Sequence, residues 1–151
     1  MIGRGRLAEI CGILNARGVR YAVAGGYACA LNGHLRMTED IDILLLNNEE
    51  NLNRTITAIR DIFPAIEDEI TISDIRDNVV LKIVDDIEVD FSIKAWTVEY
   101  SGAEADISHT MIDGVDIPFL GIDSLIISKE TMREVDQWDV KVLREIRKRG
   151  R

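Results

Sequence analysis

Residues 25–42 read Gly-Gly-Tyr-Ala-Cys-Ala-Leu-Asn-Gly-His-Leu-Arg-Met-Thr-Glu-Asp-Ile-Asp, a glycine pair followed by two aspartates one residue apart. The end of this stretch predicts a β-strand, in which successive side chains point to opposite faces. Asp40 and Asp42 therefore share one face, about 7 Å apart along the backbone, while Ile41 points into apolar packing. Two carboxylates on one face are suited to binding Mg²⁺. The alternative is an edge strand whose acidic residues face solvent and block unwanted pairing.

The glycine pair lies at a predicted turn between a strand and a helix. Residues 20–24 have the composition of a short strand, and residues 27–31 open a helix whose end is marked by Asn32-Gly33. Without Cβ atoms, Gly25 and Gly26 let the backbone come close to a ligand, and the free amides of the first helical turn favour an anion. A tight turn without a ligand is the alternative.

A third carboxylate next to the first two would favour a metal site over an edge strand and a simple turn. Residues 86–93 alternate between polar and apolar side chains, which predicts a strand with Val89 and Phe91 on one face and Glu88 and Asp90 on the other. If this strand lies beside the strand of the two aspartates, Asp90 joins them.

The three elements together resemble a known superfamily. Gly-Gly, thirteen further residues, Asp-Ile-Asp and a later strand aspartate form a pattern similar to that of the nucleotidyltransferases, which include DNA polymerase beta, the CCA-adding enzymes and the aminoglycoside and lincosamide nucleotidyltransferases. Residues 23–42 most resemble the small prokaryotic members, including the toxin-type branch associated with abortive phage infection. Residues 128–140 are similar to the C-terminal helix of these relatives, with Val135 where they have lysine.

The resemblance implies a metal-dependent transfer of a nucleoside monophosphate from an NTP, such as ATP, to a hydroxyl group. It implies that Asp40 and Asp42 bind two ions of Mg²⁺ or Mn²⁺ and that Asp90 completes the site of the catalytic ion. Gly25 and Gly26 would hold the β- and γ-phosphates. The three aspartates are then both the catalytic residues and the metal ligands.

Three further residues are candidates for binding the nucleotide. Arg36 and Thr38 lie in the loop before the aspartates, where they could bond phosphate oxygens or simply be a surface charge and a turn residue. For Lys129 the resemblance suggests a triphosphate contact, and a solvated helix-surface lysine is the alternative. His34, in the same loop, could touch a nucleotide but is expected to face solvent.

Length and pattern predict one α/β (α+β) domain over residues 1–151, with a mixed β-sheet, flanking helices and a short C-terminal helical extension over about 122–151. The expected elements are, in chain order, a helix over about 4–17, a strand over 20–24, a helix over 27–33, a strand over 40–46, a helix over 49–62, strands over 78–84 and 86–93, a hairpin over 109–120, and helices over 122–132 and 136–148. Cys11 and Cys29 have no metal-binding spacing and are expected to be reduced packing residues.

The net charge of −9 argues against a protein that grips long double-stranded nucleic acid, because such proteins present a basic surface. The basic cluster on the last helix suits a solvated helix end or a contact with an RNA end; its members are Lys141, Arg144, Arg147, Lys148, Arg149 and Arg151. No signal-peptide core or membrane-spanning segment is expected, which predicts a cytoplasmic protein.

The sequence leaves three hypotheses for function. The first is nucleotidyl transfer, with a small molecule, a protein or an RNA end as acceptor. The second is a nucleotide-binding module without turnover. The third is a toxin–antitoxin component that acts through a protein partner. The short region after residue 93 suggests either an open acceptor site or one completed by a second subunit, such as a homodimer partner.

Overall fold

The computed structural model describes residues 4–150 and contains a six-stranded mixed sheet with helices on both faces. The strand order is β3-β4-β2-β1-β6-β5. The strands are β1 (Tyr21–Ala24), β2 (Asp40–Leu45), β3 (Leu81–Val84), β4 (Glu88–Ser92), β5 (Ile107–Ile112) and β6 (Val115–Leu120). The helices are α1 (Arg4–Ala16), α2 (Gly25–Leu31), α3 (Glu49–Ile62), α4 (Ile72–Arg76), α5 (Tyr100–Ala103), α6 (Ile122–Ser128) and α7 (Glu134–Arg149), with a 3₁₀ turn over Glu104–Asp106.

The central pairings bring the predicted strands together. β2 pairs antiparallel with β1 and parallel with β4, and β3 and β4 form an antiparallel hairpin. The mixed sheet and its flanking helices confirm the predicted fold class.

The period-2 alternation of β2 divides the interior into two layers. Ile41 and Ile43 belong to the cluster beneath α1 and α3. Leu44 points the other way, into the cluster formed with α6, α7 and the small residues of α2. Asp40 and Asp42 lie on this second face, so the carboxylates and helices α6 and α7 lie on the same side of the sheet.

Several boundaries differ from the prediction for local reasons. α3 spans the expected residues, and the Asn48 side chain caps it by accepting a hydrogen bond from the Asn51 amide. α2 begins at Gly25 rather than at residue 27. The short helix α4 was not predicted, although Thr71 and Asp74 form a reciprocal capping box at its start.

Both cysteines are buried free thiols, as expected. None of the helices between residues 4 and 150 is long and apolar enough to cross a membrane.

Candidate functional site

The carboxylates meet because β2 and β4 are parallel neighbours in register. Asp42 pairs with Asp90, and Asp40 pairs with Glu88. Since residues two apart on a strand share a face, all four side chains lie on the same side of the sheet. The sequence-based prediction that Asp90 lies next to the Asp-x-Asp pair is therefore confirmed.

Three of these side chains are close enough to share one cation. One oxygen from each of Asp40, Glu88 and Asp90 lies within 4.8 Å of the others. Asp90 Oδ1 is buried and accepts no hydrogen bond from residues 4–150, although the Lys82 ammonium group lies 3.3 Å away. An all-oxygen donor set with such an unsatisfied oxygen fits a hard divalent cation such as Mg²⁺.

Glu88 is the site residue that sequence reasoning missed. The signal was present, because Glu88 precedes Asp90 by two residues and so had to share its face. Only the register with β2 shows that it also lies opposite Asp40.

Burial and mutual repulsion make Asp42 and Asp90 hard to ionise. Burial, followed by the charge of Asp40, raises the pKa of Asp42 to about 6. Burial, followed by the charges of Asp42 and Glu88, raises the pKa of Asp90 to about 7. Positive charge beside these two groups would therefore favour their ionisation.

Lys82 on β3 supplies part of that charge. Its ammonium group lies 2.6 Å from Glu88 Oε2 and 3.3 Å from Asp90 Oδ1. The hydrogen bond from Lys82 holds the pKa of Glu88 below its usual range. The ammonium group thus sits against the same carboxylates that are suited to hold a metal ion.

The glycine turn lies directly against the carboxylates. Gly25 has φ of 62°, the left-handed region that disfavours other residues. A Cβ atom there would overlap the carboxylate of Asp42, and one on Gly26 would lie 2.5 Å from Thr38 Oγ1. Both glycines are therefore needed for close packing at this turn, even without a ligand.

A buried aspartate organises the cationic wall of the site. Asp139 is fully buried, and its carboxylate lies 2.9 Å from Nε2 of His34, Nε of Arg36 and Nζ of Lys129. Burial by itself would raise the pKa of Asp139, but Lys129, Arg36 and His34 outweigh it and hold that pKa below its usual value. The expectation that His34 faces solvent is wrong, because this contact draws it into the interior, where it is 7% exposed.

Lys129 is likewise not a solvated surface lysine. It is 7% exposed and also lies 3.5 Å from Asp136 Oδ1. Arg36 is partly buried, and Thr38 donates a hydrogen bond to the Asp40 carbonyl oxygen at 3.2 Å.

These groups surround a cavity of about 540 Å³, here called the first cavity. All the predicted site residues except Gly25 line it, together with Lys82 and residues of the α6–α7 connection. Its lining comprises Gly26, Arg36, Met37, Thr38, Glu39, Asp40, Asp42, Lys82, Asp90, Lys129, Arg133, Val135 and Asp136. The first cavity therefore has a carboxylate floor and a wall that carries arginine and lysine side chains.

The chain is similar in structure to an antigenic nucleotidyltransferase-like protein from Paracoccidioides brasiliensis, with a TM-score of 0.59, 14% identity, and coverage of 93% of this chain and 74% of the other. It is also similar to a protein from Thermotoga maritima described as a candidate nucleotidyltransferase, with a TM-score of 0.59, 18% identity, and coverage of 95% and 89%. No protein-family model and no curated protein matches the chain. These structures establish a nucleotidyltransferase-like fold.

Proposed function

We propose that the protein is a metal-dependent nucleotidyltransferase that moves a nucleoside monophosphate from an NTP, with ATP as the first donor to test, to an acceptor hydroxyl. The observation that carries this proposal is the β2–β4 register, which sets Asp42 opposite Asp90 on the floor of the first cavity. The glycine turn and the cationic wall beside this floor support the same function.

Asp40, Asp42 and Asp90 would hold Mg²⁺ or Mn²⁺, and Glu88 would add a fourth carboxylate. The bound cation would lower the pKa of the acceptor hydroxyl and neutralise charge on the phosphates. Asp90 contributes the buried oxygen that accepts no hydrogen bond within the described chain. The Lys82 ammonium group would have to move away from Glu88 and Asp90 as the cation enters, because it contacts both carboxylates.

The phosphates would lie between the glycine turn and the cationic wall. α2 has seven residues, so its dipole is small and most of the attraction for a triphosphate falls to Arg36 and Lys129. Asp139 holds both side chains in place. The absence of a side chain on Gly26 lets phosphate oxygens approach the backbone.

In the proposed reaction the acceptor oxygen forms a bond to the α-phosphorus while the bond from the α-phosphorus to the oxygen bridging to the β-phosphate breaks. Pyrophosphate takes the electron pair of the broken bond and leaves on the side of Arg36 and Lys129. The other carboxylate oxygen of Asp90 would accept the hydroxyl proton. The protein contributes positioning and charge stabilisation, as is usual in phosphoryl transfer.

An alternative proposal is that the chain acts through a protein partner, as a toxin–antitoxin component or as a nucleotide-binding module without turnover. The loop between α2 and β2 exposes Leu35 and Met37, which are 80% and 77% accessible. Met37 also lines the first cavity, so a partner on this loop would cover the nucleotide site. Affinity purification with a Leu35→Ser, Met37→Ser variant as control tests this alternative.

Transfer is tested by incubating the protein with each NTP labelled at the α-phosphate, Mg²⁺ or Mn²⁺, and cell extract, and then identifying the labelled product. We expect Asp90→Asn to abolish labelling and Asp85→Asn, a nearby exposed aspartate, to retain it.

Calorimetry gives a reading that does not depend on the acceptor. NTP should bind much more tightly with Mg²⁺ than with EDTA, because the bare carboxylates repel a triphosphate. Equal affinity under the two conditions would rule out the metal site.

A further inference from the structure

A second cavity of about 530 Å³ lies beside the first. The two cavities share five lining residues, Asp42, Asp90, Lys129, Arg133 and Asp136. Of the other phosphate-binding candidates, Gly26, Arg36 and Thr38 line only the first cavity, and Gly25 lines only the second. A cavity of this size can hold a ligand as large as a nucleotide. The two cavities are therefore similar in size and adjoin at Asp42 and Asp90.

The second cavity has an aromatic wall. Trp96 lines it and is 56% exposed. Val79 and Met132, also lining residues, are 91% and 89% exposed. Large apolar side chains that gather around a cavity next to carboxylates indicate a surface for a ligand with a flat or apolar part.

Trp96 lies in a strained turn. The amide of Ala95 donates to the carbonyl of Val98 at 2.9 Å, and the amide of Val98 donates back to Ala95 at 3.0 Å, which closes a two-residue turn. Trp96 has φ of 58° while Thr97 does not have a positive φ. This is the pattern of a type II′ turn, whose first central residue is ordinarily glycine. A tryptophan held in this conformation is a functional candidate because local stability alone does not favour it.

The turn is firmly anchored to the protein. Val98 and Tyr100, which follow it, are each 8% exposed and belong to the core cluster on the α6–α7 face. Ala95, which precedes Trp96, packs against the same cluster. The backbone that carries the Trp96 indole is therefore held in place by packed neighbours on both sides.

The second cavity offers accessible cations beside its carboxylates Asp42, Asp90 and Asp136. Lys94 is an exposed lining residue, and Arg133, in the α6–α7 connection, also lines the cavity with a side chain that is 74% exposed. An indole surface with two accessible cations suits a flat ring attached to a phosphate. Such a ligand would be favoured locally although the whole chain carries a net charge of −9.

We propose that the second cavity binds the acceptor, and that the acceptor is nucleotide-like: a base that stacks on Trp96, a phosphate near Lys94 and Arg133, and a ribose hydroxyl directed to Asp90. This proposal rests on the proposed nucleotidyl transfer. In such a reaction the attacking and leaving oxygens lie roughly in line across the α-phosphorus. In the proposed reaction pyrophosphate leaves towards Arg36 in the first cavity, so we assign the acceptor to the second cavity, which adjoins the first at Asp42 and Asp90.

The chemistry of the step balances without a further reactant. The ribose hydroxyl oxygen bonds to the α-phosphorus of the donor, its proton passes to Asp90, and pyrophosphate departs with the electrons of the broken bond. The product is a phosphodiester between donor and acceptor nucleotides. Two sources share this acceptor chemistry, a free nucleotide and the 3′ end of an RNA strand.

Trp96 fluorescence tests the proposal. Trp96 and Trp138 are the two tryptophans of the chain, so a Trp138→Phe background makes Trp96 the sole reporter. The protein is first saturated with Mg²⁺ and α,β-methylene ATP, which occupies the donor site, and is then titrated with 5′-AMP or with a hexa-adenylate RNA. We expect the donor analogue to leave the fluorescence nearly unchanged and one of the two probes to quench it saturably. The probe that binds more tightly distinguishes a free nucleotide from an RNA end.

Two variants complete the test by calorimetry with the same probes. Trp96→Gly should weaken probe binding by at least about tenfold, because one stacking contact with the base is lost. The unfolding midpoint of this variant should be no lower than that of the parent, because glycine suits this turn. Thr97→Gly, in the same turn, should bind the probe as the parent does. Quenching by the donor analogue alone, or probe binding that survives Trp96→Gly, would overturn the acceptor assignment. Failure of the proposed function is distinct, because it would appear as loss of Mg²⁺-dependent binding of the donor analogue.

Discussion

Replacing Asp90 with asparagine should stabilise the metal-free protein at neutral and alkaline pH. In the folded chain, burial and then the charges of Asp42 and Glu88 raise the pKa of Asp90 to about 7, whereas an unfolded aspartate has a pKa of about 3.9. A folded-state pKa above the unfolded one means that the folded protein holds this proton more tightly. The stabilisation from that proton is complete below about pH 4 and is lost as the pH rises through about 7.

The magnitude follows from the size of the shift. Each pKa unit corresponds to about 1.4 kcal/mol. A shift of about three units therefore means that ionising Asp90 costs about 4 kcal/mol more in the folded chain than in the unfolded chain. That figure is an upper bound for the variant, because asparagine still buries a polar group and loses the ion pair with Lys82. We expect Asp90→Asn to be more stable than the parent by about 2 to 4 kcal/mol near pH 8.

Urea denaturation in EDTA at about pH 4 and about pH 8 measures this difference. The two proteins should nearly coincide at the lower pH and separate at the higher one. Asp85→Asn serves as the matched control and should follow the parent at both. Adding Mg²⁺ should stabilise the parent more than Asp90→Asn, since ligands that bind the folded state raise its stability. If Asp90→Asn gains nothing at pH 8, the carboxylates are not electrostatically strained and the reasoning fails.

Two further substitutions test the walls of the first cavity. Gly26→Val should weaken NTP binding by at least about tenfold, or 1.4 kcal/mol, because its Cβ would crowd Thr38; Gly33→Ala, at the end of α2, should lower stability by about 1 kcal/mol and leave nucleotide affinity unchanged in calorimetry. Asp139→Asn should lower the free energy of unfolding by about 3 to 5 kcal/mol, since it removes the charge that faces Arg36 and the buried Lys129 and leaves Lys129 only its longer contact with Asp136. Thermal denaturation that shows no loss would mean that this network is not needed for stability.

The strand elements that carry the carboxylates could be read from local pattern because their signals are strong. Alternation along residues 86–93 predicted which side chains of β4 face the core, and Val89 and Phe91 are indeed fully buried. Glycines mark a turn because they tolerate a positive φ, and Gly25 has one. Gly26 does not have a positive φ, and its close approach to Thr38 could not be read from the sequence.

The burial of the polar site residues was harder to predict than the elements in which they lie. His34 and Lys129 appear in the sequence as ordinary polar residues, and both are buried because Asp139, more than a hundred residues from His34, lies between them. An ion pair across such a separation has no local signature. Its existence depends on where α7 packs against the loop between α2 and β2.

The sequence by itself determined the periodicities, the glycine turn and which carboxylates share a strand face, because these depend on backbone geometry over a few residues. Only the tertiary structure decided that Glu88 lies opposite Asp40 and that Arg36 and Trp96 line two adjoining cavities that share Asp42 and Asp90. Strand order and helix packing result from burying the two apolar layers of one sheet, a property of the whole chain. Strand order and helix packing produce the contacts that distinguish a transferase site from an acidic strand at the surface.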